Sequence, residues 1–270
     1  SIDVLGTANR YGAEIFSQYF GDCEKLEELY EYSGGENKLW NFSAWASGNN
    51  AKTFTTLSKM FQNCKMLKNQ YIQGWSNLNA ANLVDASYMF QNCKSITEIS
   101  LPESLTCIDG YAFEGCSSLK QVALPASLIQ IEDCAFRECT SLTEIHIPSS
   151  LISLAKDLFS GENDLPRVFY SHNNISKITV ENGHPLFDSR NDCNAVIETA
   201  TNTLLLGCKN TIIPKGITTI GKNAFREVHG LSTIELPDSV TEIGDLAFFG
   251  CKDLTEIHIP ASVSKIGRDA

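Results

Sequence analysis

Six cysteines, Cys23, Cys64, Cys93, Cys116, Cys139 and Cys251, each stand three residues after a phenylalanine. Thiols at a fixed interval could carry metal or redox chemistry. Stacked strands, however, would set equivalent residues about 4.8 Å apart with parallel Cβ vectors, whereas a disulfide wants Cβ atoms about 3.8 Å apart and turned toward each other. The six are therefore read as small, buried apolar side chains. Cys193 and Cys208 differ, because they flank two strand-like runs and are candidates for a cross-strand disulfide. Glu144-Ile-His146 and Glu256-Ile-His258 each place a carboxylate beside an imidazole, a pairing that suits a metal. Three strand spacings would leave the two histidines about 14 Å apart, too far to share an ion. Residues 188–192, Asp-Ser-Arg-Asn-Asp, look acidic and turn-like but lack the oxygen spacing and terminal glutamate of a calcium loop. His172, His184 and His229 lie in loop-like segments without a paired nucleophile, and Trp40, Trp45 and Trp75 read as core residues of a cap. With no G-x-S-x-G, phosphate-binding glycine loop or zinc spacing, the sequence predicts no catalytic residue, no metal, no cofactor and no enzyme.

The elements that position these residues follow from a repeat. Pro102, Pro125 and Pro148, and again Pro214, Pro237 and Pro260, recur at every twenty-third position, and Phe90, Phe113, Phe136, Phe159, Phe225 and Phe248 keep the same beat. Within one unit, Leu119, Val122 and Leu124 end in strict alternation, the pattern of a short half-buried strand. Pro125 ends that strand, Leu128 and Ile131 mark a second extended segment, and the spacing of Phe113, Cys116 and Leu119 suggests a single helical turn. One such unit buries too little apolar surface to fold alone, so copies must stack. The fold class expected from the repeat is an α/β solenoid of short parallel strands and single helical turns. Its strands turn alternate side chains to water, namely Glu98 and Ser100, Gln121 and Ala123, Glu144 and His146, Lys177 and Thr179, Thr233 and Glu235, Glu256 and His258. That polar stripe, on the concave face of a solenoid, is the candidate binding surface.

The proline gap from Pro148 to Pro214 is one period with a long insertion. Ile175, Ile178 and Val180 match the strand positions of Leu119, Val122 and Leu124, while a competing register puts Leu165 and Val168 there; the first keeps the alternation. NAVIET and TNTLLLGC then read as a β-hairpin within about residues 181–213, projecting from the solenoid. Upstream, MFQNC recurs at a longer interval, from Met60 to Met89, so residues 1–90 are assigned to a cap and longer, degenerate repeats, and residues 91–270 to the regular array. Ala270 falls where the alanine before the next phenylalanine belongs, and the array is expected to continue.

Composition narrows the partners. A net charge of −11 without a basic block disfavours nucleic acid, and no apolar run is long enough to span a membrane. Ser1-Ile2-Asp3 does not begin a signal peptide. Ten cysteines in 270 residues fall below the density of a small disulfide scaffold.

The units AFEGCSSLKQVALPASL and AFRECTSLTEIHIPSSL resemble the BspA-type leucine-rich repeats of bacterial surface proteins, and residues 178–214 resemble the enlarged repeat of such proteins. Departures are Val228 where cysteine belongs, the missing cysteine after Phe159, and an irregular stretch before Leu57. The resemblance implies an α/β leucine-rich-repeat solenoid and a secreted or cell-surface-anchored, extracellular protein. It further implies a non-catalytic recognition or adhesion module for an extracellular protein or surface glycoconjugate, or alternatively a structural spacer that presents another domain.

Overall fold

The computed structural model describes residues 30–33, 36–39, 56–69, 72, 75–77, 83–154 and 174–270. Cys23, Trp40, Trp45, Phe159 and His172 lie outside the described residues. The chain forms a β-solenoid of about seven turns, almost without helix among the described residues.

Each regular coil has three sides. The first is the alternating strand: Glu98–Ser100 pairs in parallel with Gln121–Ala123, and Glu144–Ile147 with Lys177–Val180. The Thr143 amide donates to the Lys120 carbonyl at 3.3 Å between these two pairs. Ile178 sits opposite Ile145 and Val180 opposite Ile147, so the register that kept the alternation is the one adopted. The second side is the extended segment after the proline, where Cys107–Ile108, Gln130–Ile131 and Ser153–Leu154 form a parallel ladder. In the C-terminal half the same two sides recur as Thr233–Glu235 with Glu256–His258, and as Thr219–Ile220, Glu242–Ile243 and Lys265–Ile266.

The third side is where a helical turn was expected, and it is a hydrogen-bonded turn of another kind. The amides of Ala112, Glu114 and Cys116 bond three residues back within the coil, while those of Tyr111, Phe113 and Gly115 bond the carbonyls of Asp133, Ala135 and Arg137 in the next coil. Alternate amides thus serve the coil and its neighbour. The geometry needs a positive φ two residues before and two after the phenylalanine, as at Tyr111 (φ 61) and Gly115 (φ 70), or Cys134 (φ 57) and Glu138 (φ 60). Such a backbone cannot propagate a helix.

Inside, Phe61, Phe90, Phe113 and Phe136 stack with centroids 5.4, 5.5 and 5.3 Å apart, and Trp75 packs edge-on against Phe90 at 5.7 Å. The coil of residues 56–69 joins the stack despite its longer offset, through the Phe61 amide and the Met89 carbonyl at 2.8 Å. Phe225 and Phe248 form a second stack at 5.1 Å. The two belong to separate apolar clusters.

The enlarged repeat lies between them. Phe187–Asp188, Ala195–Glu198 and Thr203–Gly207 pair antiparallel in sequence, and Thr203–Gly207 then pairs in parallel with Thr219–Ile220. Contrary to the expectation from sequence, this hairpin does not project. Ala195, Val196, Ile197 and Leu204 are fully buried. Val196 packs into the N-terminal core, whereas Ala195, Ile197 and Leu204 pack into the C-terminal one. The hairpin is a partition between two cores, and it buries both faces because each has an apolar stack to cover.

Candidate recognition face

Alternation along each strand carries the buried residue inward and its neighbours out. Glu98, Ser100, Gln121, Ala123, Glu144, His146, Lys177, Thr233, Glu235, Glu256 and His258 are exposed and Thr179 is half-buried, while Ile99, Ile145, Ile178 and Ile234 between them are buried. Parallel pairing puts equivalents side by side: Glu98 beside Gln121, Glu144 beside Lys177, His146 beside Thr179 and Glu235 beside His258. His146 Nδ1 lies 2.9 Å from Thr179 Oγ1, and Lys177 Nζ lies 4.0 Å from a Glu144 carboxylate oxygen. Being exposed, this ion pair contributes little to stability. Its consequence is local orientation of the two side chains.

Two hollows adjoin on this face. One, of about 300 Å³, is lined by Asn69, Trp75, Glu98, Ser100, Gln121 and Ala123, among others. The second, of about 380 Å³, runs on from Gln121 and Ala123 to Glu144, His146, Lys177 and Thr179. The small side chains of Ser100 and Ala123 leave the floor low, and the longer carboxylates and amides stand around it. In contrast, His146 and His258 lie in separate ladders, His146 before the enlarged repeat and His258 after it.

The sequence reading left one exposed apolar side chain unmarked. Asn210 and Ile212 stand at the same distances before Pro214 as Gln121 and Ala123 before Pro125, and Ile212 is 73% exposed. That proline spacing was the signal available.

The cysteines are explained by bonds that spacing did not reveal. The thiols of Cys93, Cys116, Cys139 and Cys251 donate to the carbonyls of Phe61, Phe90, Phe113 and Phe225 in the preceding coil, at 3.0, 3.0, 3.1 and 2.9 Å. Burial pushes the Cys116 thiol up to about 12. Cys193 and Cys208 are buried free thiols, and the disulfide considered for them is not formed. Each has another partner: Cys208 donates to the Asn194 carbonyl at 3.5 Å, and Cys193 Sγ lies 3.7 Å from Ser189 Oγ. The serine after each corner works like the cysteines, with the hydroxyls of Ser127, Ser150, Ser239 and Ser262 each donating at 2.7 Å to the carbonyl 22 residues earlier. Asp188 of the acidic loop holds Arg190 in an ion pair at 2.5 Å, which lowers the Asp188 carboxyl against the opposing effect of burial.

Parallel coils, an apolar stack and a polar strand face define a leucine-rich-repeat solenoid. A family model described as a BspA type leucine rich repeat region matches residues 86–184 and 204–270 in six copies. The chain belongs to this BspA-type leucine-rich-repeat family. The stretch between the two matches holds the Phe187–Asp188 and Ala195–Glu198 strands, where pairing turns antiparallel.

Among solved structures, the chain is similar to a leucine-rich cell surface protein from Faecalibacterium prausnitzii, at 21% identity and a TM-score of 0.55, covering 88% of this chain and 70% of that one. A leucine-rich-repeat protein from Eubacterium ventriosum is similar at 23% identity and a TM-score of 0.52, with 67% of this chain and 52% of that one covered. The pneumococcal vaccine antigen PcpA is similar at 18% identity and a TM-score of 0.53, with 80% of this chain and 64% of that one covered. At these identities the likeness is one of fold. A search of curated proteins gives no match. Among the described residues, no helix is long and apolar enough to cross a membrane.

Proposed function

We propose that the chain is a non-catalytic recognition module of an extracellular or cell-surface protein, binding a protein or surface glycoconjugate through its strand face. The observation that carries this reading is the pair of adjoining hollows over Glu98, Gln121, Glu144, His146, Lys177 and Thr179, polar side chains that point away from the core while their neighbours hold it. Membership of the BspA-type family and the cell-surface description of the Faecalibacterium relative support the location. Exposed side chains on a rigid ladder can change without refolding the coil, which suits a surface selected for partner choice. Glu235, Glu256 and His258 extend the same face beyond the enlarged repeat, with Ile212 as an apolar contact.

The test is a binding screen against extracellular matrix proteins and microbial surface glycans, followed by the double variant E144A/H146A and the single variant I212S. Each is expected to weaken binding of any ligand found by about tenfold or more, since contacts at the centre of an interface carry most of its energy. Thermal stability should stay within about 0.5 kcal/mol of the parent, as for exposed positions generally. Binding unchanged in both variants would exclude the strand face.

A further inference from the structure

His184 sits at the junction between the last regular coil of the N-terminal stack and the enlarged repeat, and it is buried, at 8% exposure. Its Nε2 lies 2.9 Å from the Leu151 carbonyl, which can only accept, so Nε2 carries a proton. Its Nδ1 lies 3.1 Å from the Leu186 amide and 3.0 Å from the Phe187 amide, both donors, so Nδ1 must present its lone pair. One imidazole thereby joins two backbone amides of the enlarged repeat to a carbonyl 33 residues earlier. Only the neutral ring with its proton on Nε2 can make this set of bonds.

We propose that His184 is an acid-released latch, fastening the enlarged repeat to the preceding coil at neutral pH and freeing the 181–188 turn when the ring is protonated. A proton on Nδ1 would set three donors against one another in a buried site. Both amide bonds would be lost, and a buried cation would remain. The seam so loosened lies on the N-terminal side of the partition, because Leu151 and Phe187 both pack in the N-terminal core, Phe187 sits against the ring at a centroid distance of 4.9 Å, and its strand pairs with the partition strand Ala195–Glu198.

Among the described residues, the groups facing the ring are these. On its own turn stands Glu181, whose carboxylate accepts the Ser149 amide at 2.6 Å, and beyond Phe187 lies the Asp188–Arg190 ion pair. From the preceding coil come the carbonyls of Leu151 and Pro148. Burial lowers the proton affinity of the ring, against the opposing pull of these carbonyls and of Glu181. A histidine that binds its proton less readily when folded contributes stability that is full above its ordinary value of about 6.5 and declines as pH falls through it. Glu181 is itself held below the usual carboxylate range by the Ser149 amide.

Two readouts on the intact chain test the proposal. Long-range proton–nitrogen NMR should find His184 protonated on Nε2 and bare on Nδ1 at pH about 7, with a titration midpoint below about 6.5. Hydrogen exchange, corrected for intrinsic rates, should be about tenfold faster over residues 181–188 at pH about 5 than at pH about 7, and unchanged over residues 219–266. The variant H184Q, which cannot titrate, should lose the pH difference. A proton on Nδ1, a midpoint at or above about 6.5, or equal exchange at both pH values would overturn the latch, and these wild-type measurements decide the matter even if H184Q fails to fold.

Discussion

The thiol of Cys116 and the hydroxyl of Ser127 do the same job on different sides of one coil, each giving a hydrogen to a carbonyl of the coil before. A hydroxyl bond of this kind contributes about 1 kcal/mol, and its loss strands an acceptor beneath the corner. S239A is therefore expected to lower stability by about 1 kcal/mol in urea unfolding, with no change in the slope of the transition. The thiols make a second expectation. Burial raises the proton affinity of Cys93, Cys116 and Cys139, so these residues should resist alkylation at neutral pH while the chain is folded. After denaturation without reductant, mass analysis should find Cys193 and Cys208 both labelled, and a mass corresponding to a disulfide between them would contradict their present geometry. Val228 shows what the motif tolerates: it occupies the cysteine position in the first coil after the enlarged repeat, where the donor is absent.

At the scale of the element, the turn and the hairpin departed most from the sequence reading. Gly207 ends the last strand of the enlarged repeat and occupies the place of a phenylalanine, its amide bonding the Ala224 carbonyl at 2.8 Å. A Cβ there would come within 2.1 Å of a Phe225 ring carbon, because that ring lies against the glycine. G207A should thus cost about 1–3 kcal/mol and shift Phe225, an effect visible in near-ultraviolet circular dichroism. The strand register was legible because alternation of Ile178 and Val180 can be read from one segment alone. The role of the hairpin was harder, yet a signal existed. Ala195-Val196-Ile197 is a continuous apolar run, the mark of a strand covered on both sides, whereas a projecting hairpin would alternate. The turn beside the phenylalanine was not legible, since its 3-residue spacing fits a helix equally well. What decides it is a pair of positive-φ residues, and these include Tyr111, Cys134, Glu138 and Leu246, types that do not advertise such a backbone.

For the whole molecule, the recurrence of proline and phenylalanine made the stacking and the polar face legible, but not the division into two cores. That division depends on which side of the partition strand each residue faces, a three-dimensional matter. It carries an expectation about cooperativity, because solenoid stability is the sum of coils and their nearest-neighbour contacts. F113A removes a ring from the middle of the N-terminal stack and should cost about 3–5 kcal/mol. Hydrogen exchange should then accelerate over residues 86–154 and remain near the parent rate over residues 219–266. Uniform acceleration along the chain would show that the partition transmits unfolding.

The serine and cysteine bonds have a direction: wherever these side chains stand they donate to a carbonyl of the coil before, while alternate backbone amides of the turn donate to the coil that follows. Neighbours are therefore addressed in a common format, and a copied regular unit would find both of its interfaces ready-made. Gene duplication can lengthen such an array without inventing a contact. The enlarged repeat has no such freedom, since the surface it presents fits one predecessor and one successor, and it stands as a fixed landmark in an otherwise extensible sequence.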